Sequence, residues 1–174
     1  MSWSDRRPLL LALPLALPLL AAGCGFTPVY GPDGIGTKLR GQILADNPNS
    51  EEDYYLVRRL EEQLGHTVDP VYLLHYTITT DETDLAVNTE GDITRYNVLG
   101  KVRYQMVRQS DGAVMAQGDV ENFTAYSASG SPVDTLSAER DATRRLMVIL
   151  ADQIVAVLYT SVDLSTPPSP AGPT

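Results

Sequence analysis

Residues 93–108 read ITRYNVLGKVRYQMVR, and this stretch decides the fold because it alternates over an unusual length. The residues of one parity are mostly apolar and are interrupted by Gly100: Tyr96, Val98, Val102, Tyr104 and Met106. The residues of the other parity, with Leu99 among them, are mostly polar: Arg95, Asn97, Lys101, Arg103 and Gln105. Successive side chains of a strand point to opposite faces. The stretch therefore predicts a long strand of an antiparallel sheet with one covered face and one wetter face.

The segments on both sides of this strand have the same pattern. Asp111-Gly112 predicts a tight hairpin turn, after which residues 114–126 return as a strand. Residues 71–80 form another alternating stretch. Its two faces are Tyr72, Leu74, Tyr76 and Ile78 on one side and His75, Thr77 and Thr79 on the other.

A helix is predicted between residues 49 and 65. Ser50 is followed three places later by Asp53, and Asn49 by Glu52, so either residue supplies an N-cap pattern. Gly65 is a natural C-terminal stop.

A second helix is predicted from an N-cap at Asp134 to about Tyr159. Its expected apolar band is Leu136, Ala142, Leu146, Ile149, Leu150, Ile154, Val157 and Leu158. A short strand is predicted over residues 39–44. The order β-α-β-β-β-α predicts an α+β two-layer sandwich, with about four mostly antiparallel strands and two helices packed on one face.

The N-terminal region has the layout of a secretory signal. Arg6 and Arg7 give it a basic start, residues 9–20 are an apolar run, and Ala21-Ala22-Gly23 precede Cys24, the only cysteine. This arrangement resembles a bacterial lipobox, in which the cysteine becomes the lipidated first residue of the mature chain. The alternatives are an ordinary signal peptide with an incidental cysteine and a retained membrane anchor. The anchor is the weaker of these, because the apolar run is about half of the roughly 20 residues that a spanning helix needs.

These features divide the chain into four parts. Residues 1–23 are the predicted lipoprotein signal peptide, and residues 24–36, rich in Gly and Pro, are a lipidated flexible tether. Residues 37–160 form a single α+β domain. Residues 161–174 are a Pro-rich tail that we expect to be disordered.

The charge of the chain limits its partners. The formal net charge is −9, and removal of residues 1–23 takes away two arginines and one aspartate. An acidic chain argues against nucleic-acid binding, which depends on neutralising many phosphates. It also argues against broad adhesion to anionic lipid, so acyl chains on Cys24 are expected to attach the protein to the membrane.

The sequence contains no recognisable catalytic constellation. No serine lies in a nucleophile elbow and no glycine-rich loop opens a helix. His66 and His75 are not paired at a metal-binding spacing, and acylation of Cys24 leaves no thiol. We therefore predict no catalytic residue, no metal site and no cofactor, and we expect that the protein is not an enzyme.

Three cations share the polar face of residues 93–108: Arg95, Lys101 and Arg103. One hypothesis is that they contact an anionic envelope ligand, since arginine pairs well with phosphate. The alternative is a solvated sheet face whose cations pair across strands with Asp119 and Glu121.

The segment that begins at Cys24 resembles a known family. Cys24-Gly25-Phe26-Thr27-Pro28-Val29-Tyr30-Gly31 is similar to the mature start of α-proteobacterial lipopolysaccharide-assembly lipoproteins of the LptE type. The order of elements fits the same family, and so does Ala138-Glu139-Arg140-Asp141-Ala142 in the final helix.

The resemblance implies a non-enzymatic lipoprotein on the periplasmic face of the outer membrane. Members of the family plug an LptD-type outer-membrane β-barrel, help it to assemble, and help to deliver lipopolysaccharide to the outer leaflet. By positional analogy, Arg95, Lys101 and Arg103 are candidate lipopolysaccharide contacts. The alternative is an auxiliary lipoprotein of another envelope transport system, either an ABC exporter accessory or a secretin pilot. A cell-wall enzyme would need a catalytic constellation that the sequence lacks.

Overall fold

The computed structural model describes residues 28–32, 34–87, 89 and 91–164. The predicted signal peptide, Cys24 and residues 165–174 of the predicted Pro-rich tail lie outside them. Their elements in chain order are α1 (Ile35–Leu39), β1 (Ile43–Ala45), α2 (Glu51–Leu64), β2 (Tyr72–Val87), β3 (Ile93–Arg108), β4 (Val114–Ser127) and α3 (Pro132–Ser161). The predicted α+β sandwich is confirmed, with a short helix added before the first strand.

The sheet has the order β1-β2-β3-β4. β1 pairs parallel with β2 through only Ile43–Ala45, whereas β2 with β3 and β3 with β4 pair antiparallel along most of their lengths. The register shifts within residues 84–87 of β2 and between Met106 and Val107 of β3. The bounds of β3 are those predicted from its alternation. β2 is longer than predicted, because residues 81–87 continue to pair with β3 although almost all of them are exposed.

Helix α2 begins and ends where its caps predict. The Ser50 hydroxyl accepts the Asp53 backbone N–H at 3.1 Å, and Gly65 ends the helix with φ +82°. The buried residues of α2 are Leu56, Val57, Leu60 and Leu64. The Arg59 side chain donates from Nε to Asp152 Oδ1 of α3 at 2.7 Å, which ties the two helices together.

Helix α3 begins earlier than predicted. Its N-cap is Ser131 rather than Asp134, and Asp134 is the third helical residue of a capping box. The Ser131 hydroxyl donates to Asp134 Oδ2 at 2.7 Å, and hydrogen bonds from Ser131 hold the pKa of Asp134 below its usual range. The predicted apolar band is also partly wrong. Leu136, Ile149 and Val157 are exposed, whereas Met147, Ala151 and Val155 are buried.

The core lies between the helices and one face of the sheet. Leu74, Val102, Met106, Leu146, Leu150 and Ile154 are fully buried there. Gly100 interrupts the apolar side of β3 because α3 lies against it: a β-carbon on Gly100 would lie 2.9 Å from Leu146 Cδ2. The absence of a side chain lets the helix approach the sheet closely.

The β3–β4 hairpin turn is held by a buried ion pair. Arg108 Nη1 lies 3.2 Å from Asp111 Oδ2, and both side chains are only 7% exposed. The other Asp111 oxygen accepts the Ala113 backbone N–H at 3.1 Å. Gly112 has φ +68°, whereas Asp111 does not have a positive φ. The hairpin is therefore placed as predicted, but its connection is a four-residue loop over residues 109–112, closed by the hydrogen bond from the Arg108 N–H to the Ala113 carbonyl, and not a two-residue Asp-Gly turn.

The chain that enters the domain differs from its sequence interpretation. The strand predicted over residues 39–44 is confined to Ile43–Ala45, and the helix α1 precedes it. In the predicted tether, the Gly36 backbone N–H donates to the Val29 carbonyl at 3.0 Å, and a β-carbon on Gly34 would overlap that same carbonyl. Gly34 and Gly36 therefore serve close packing in the described part of this segment, not freedom of the chain.

Candidate functional site

The side of the sheet opposite α2 and α3 is covered by no element among the described residues, and we call it the open face. The alternate residues of β3 that include Lys101 and Arg103 point to this face. Register fixes its cross-strand rows: Thr77 with Arg103 and Asp119, Thr79 with Lys101 and Glu121, and Leu99 with Phe123. The predicted division of β3 into a covered and a wetter face is therefore confirmed.

Lys101 and Arg103 share one carboxylate. Lys101 Nζ lies 3.1 Å from Asp119 Oδ2, and Arg103 Nε lies 3.1 Å from Asp119 Oδ1. Hydrogen bonds from Lys101 and then Arg103 hold the pKa of Asp119 below its ordinary value. The cross-strand pairing expected with Asp119 is present, but Lys101 reaches it diagonally instead of pairing with Glu121 directly opposite.

Arg95 lies apart from the other two cations. It is exposed on β3 between Ala86 of β2 and Ser127 of β4, near the tip of the β2–β3 hairpin. It lies six positions before Lys101, a distance of about 20 Å along a strand. Arg95 makes no ion pair with any described residue. The structure thus places Lys101 and Arg103 together and does not bring Arg95 to them.

An apolar patch lies beside Lys101 on the open face. Leu99 is 41% exposed and Phe123, directly opposite it on β4, is 62% exposed. Together with Thr79, Lys101 and Glu121 they line a shallow depression of about 470 Å³. The sequence interpretation missed Phe123. Its place on this face could have been predicted from the sequence, because Asp119, Glu121 and Phe123 are alternate residues of one strand.

A second depression, of about 560 Å³, lies on the same face around Arg103 and Asp119. Its wall includes His75, whose Nδ1 lies 3.0 Å from Asp46 Oδ1, as well as Gln105 and Gln117, whose side chains share a hydrogen bond. His66 contacts Glu61 at 3.2 Å. Each histidine in the part of the chain that the structure describes thus has one carboxylate neighbour. No group of three or more metal-ligating side chains occurs there.

The open face presents charged and apolar side chains to solvent around two depressions. Lys101 and Arg103 are paired with Asp119, whereas Arg95 has no ion pair among the described residues, and the depressions are shallow and open to solvent. Such a face is suited to contact an extended amphiphile or the surface of another protein, with Leu99 and Phe123 making apolar contacts and the cations lying beside them. Cys24, the predicted lipidation site, lies outside the described residues.

Comparison with known proteins identifies the family. A family described as LptE, lipopolysaccharide-assembly, matches residues 42–158, which span the sheet and both long helices. The chain belongs to the LptE family. It is therefore a lipopolysaccharide-assembly lipoprotein of a non-enzymatic, envelope-associated family. No curated protein sequence matches the chain.

Solved structures share the LptE-type fold at low sequence identity. A proposed lipoprotein from Caulobacter crescentus CB15 superposes with a TM-score of 0.56 at 20% identity, covering 68% of this chain and 88% of that one. Rare lipoprotein B from Shewanella oneidensis has a TM-score of 0.53 at 14% identity, covering 68% and 92%. A minor lipoprotein from Acinetobacter baumannii has a TM-score of 0.51 at 13% identity, covering 71% and 94%. In the described residues, no helix has the length and apolarity needed to span a membrane.

Proposed function

We propose that this LptE-family protein plugs an LptD-type outer-membrane barrel, helps the barrel to assemble, and assists delivery of lipopolysaccharide to the outer leaflet. Acyl chains on Cys24 hold it on the periplasmic face of the outer membrane. The main observation in support of this proposal is that the chain belongs to the LptE family and has a long sheet face that no described element covers. Its β2 and β3 are 16 residues each, about 50 Å at the usual rise, and its central rows are polar. A long polar face suits the polar interior of a membrane barrel.

Capture of the partner tests the plug role. Full-length protein with a C-terminal tag is expressed from its own locus and purified from detergent-solubilised outer membranes. We expect a large β-barrel to co-purify, and depletion of the protein to lower the amount of mature barrel. Reproducible recovery of an ABC exporter subunit or a secretin instead would support the alternative transport role. Recovery of no envelope partner would contradict both roles.

The candidate lipopolysaccharide contacts are not equivalent. Lys101 and Arg103 are held by Asp119, so a phosphate that binds them has to compete with this carboxylate. Arg95 has no such competitor among the described residues. We therefore expect Arg95→Ala to weaken lipopolysaccharide binding at least as much as Lys101→Ala or Arg103→Ala does alone.

A matched set of variants separates a specific site from general charge. The test variant replaces Arg95, Lys101 and Arg103 with alanine. The control replaces three exposed arginines of the helical layer, Arg58, Arg144 and Arg145, and so removes the same charge. Lipopolysaccharide binding is expected to fall in the test variant alone. Equal affinity in the two variants would remove the open face as the lipopolysaccharide site.

A further inference from the structure

The described chain is fixed to the domain very soon after the predicted lipid anchor. Pro28 is four residues beyond Cys24. From there the backbone is held by hydrogen bonds, from the Gly31 N–H to the Pro28 carbonyl and from the Gly36 N–H to the Val29 carbonyl, both at 3.0 Å. Four residues of fully extended chain span at most about 14 Å. An acyl group on Cys24 therefore holds this part of the domain close to the lipid.

The attachment point defines one end of the molecule, which we call the anchor end. The Tyr30 ring meets the ring of Tyr159, near the C-terminus of α3, edge to face at 5.7 Å. The Gly41 N–H donates to the carbonyl of Leu64, the last residue of α2, at 2.6 Å. The anchor end also includes the start of β2 and the β3–β4 turn, since the Gln109 N–H donates to the Val71 carbonyl at 2.9 Å.

The anchor end exposes apolar side chains on separate segments of the chain. Val68 is 91% exposed, Tyr30 62%, Val114 51% and Val71 41%. Next to them, an apolar row crosses all four strands on the open face. Register aligns its members as Leu44, Leu73, Val107 and Val114.

The opposite end of the sheet also exposes apolar side chains, including Val87 on the β2–β3 hairpin and Val133 at the start of α3. That end is separated from the anchor end by the length of β3, about 50 Å at the usual rise per residue. A link of about 14 Å brings only the anchor end to the leaflet. Of the two apolar surfaces, the one at the anchor end is the one that can contact lipid.

We propose that the anchor end rests on the leaflet that holds the acyl chains of Cys24, with Val68, Val71 and Val114 in its interface. The proposal rests on the lipidation of Cys24 that forms part of the proposed function. Lys38 and Arg40 are exposed at this end, and Asp69 is an exposed acid there. These two cations and one acid leave a net charge of only +1, so apolar side chains carry most of the contact and anionic lipid adds little to it. Before the domain enters a barrel, this contact holds the strands upright, with the β2–β3 hairpin tip farthest from the bilayer.

Site-specific fluorescence measures this orientation. In the lipidated full-length protein the only natural cysteine is blocked, so Val68→Cys or Val133→Cys introduces a single reactive thiol. Both positions are highly exposed valines, and they lie at opposite ends. Each variant is labelled with an environment-sensitive dye and reconstituted into phosphatidylcholine vesicles that contain a quencher on the acyl chain. We expect several-fold stronger quenching at position 68 than at position 133. Equal quenching, or stronger quenching at position 133, would overturn the proposal.

Two further measurements distinguish a failure of the proposed membrane orientation from a failure of the proposed function. The intact mass of the same sample reports whether Cys24 is acylated. An unacylated Cys24 would overturn the membrane orientation, while capture of a barrel would still support the plug role. Replacement of a third of the phosphatidylcholine with phosphatidylglycerol is expected to leave the quenching at position 68 unchanged. A marked dependence on anionic lipid would show that the contact is electrostatic and would contradict the apolar interface.

Discussion

Gly100 of β3 and Leu146 of α3 pack so closely that a β-carbon on the glycine would lie 2.9 Å from Leu146 Cδ2. The same β-carbon would lie 3.0 Å from Leu150 Cδ1. Both leucines are fully buried, so they have little room to move aside. This contact sets how closely the helical layer lies on the sheet.

Gly100→Val is expected to lower the free energy of unfolding by about 1–3 kcal/mol, because it overpacks the interface between β3 and α3. Urea unfolding followed by circular dichroism measures the change. The stability of Gly100→Ala is expected to lie between those of the parent protein and Gly100→Val. Valine favours strands more than glycine does. A valine variant as stable as the parent would therefore mean that strand propensity, and not close packing, governs this position.

Leu150→Ala is expected to lower the free energy of unfolding by about 2–5 kcal/mol, because it leaves a cavity in the fully buried core. The neighbouring residue Ile149 is 36% exposed and provides a matched control. Ile149→Ala is expected to change stability by less than about 1 kcal/mol. Similar losses in both variants would contradict the orientation of α3 described above.

Asp111→Ala is expected to destabilise the domain by about 3–5 kcal/mol, because it removes the carboxylate partner of the buried Arg108 guanidinium. The double variant Arg108→Met/Asp111→Ala no longer buries that charge. Chemical denaturation is expected to show that the double variant loses less unfolding free energy than Arg108→Met and Asp111→Ala lose in sum. Strict additivity would show that the two side chains act independently.

The Asp119 carboxylate is expected to make stability depend on pH in the acid range. Its pKa is lowered in the folded protein by Lys101 and then Arg103. Its stabilising contribution is therefore complete above the ordinary aspartate pKa and is lost as the pH falls below about 4. Asp119→Asn removes this component. The difference in unfolding free energy between parent and variant should shrink between neutral pH and about pH 3, and a constant difference would contradict the ion pairs.

Local patterns predicted most of the fold. Residues 93–108 alternate between a covered and a wet face, and their bounds in the structure are the predicted ones. Residues 81–87 were missed as part of β2 because a strand segment exposed on both sides lacks that contrast. Ser131 was missed as the N-cap of α3 because the later Asp134 has the same chemistry. Gly34 and Gly36 were interpreted as flexible, since close packing of a glycine depends on contacts that are distant in the sequence.

The candidate site was predicted less completely than the fold. Parity placed Lys101 and Arg103 on one face, and the pairing with Asp119 followed from the hairpin. Parity alone also joined Arg95 to them, although strand rise puts it about 20 Å from Lys101. Phe123 was overlooked because its role depends on lying opposite Leu99, which is a matter of register.

The brevity of β1 affects how copies of this chain behave towards one another. β1 covers β2 only as far as Leu74, so the outer edge of β2 from His75 onward has no neighbouring strand among the described residues, and β4 forms the other border. Unpaired borders of this kind are templates for aggregation. Both carry acids: Asp81, Glu82 and Asp84 on β2, and Asp119 and Glu121 on β4. Asp119 is already paired with Lys101 and Arg103, but repulsion between the other carboxylates of two copies opposes pairing of their strand edges and so helps to keep the protein dispersed.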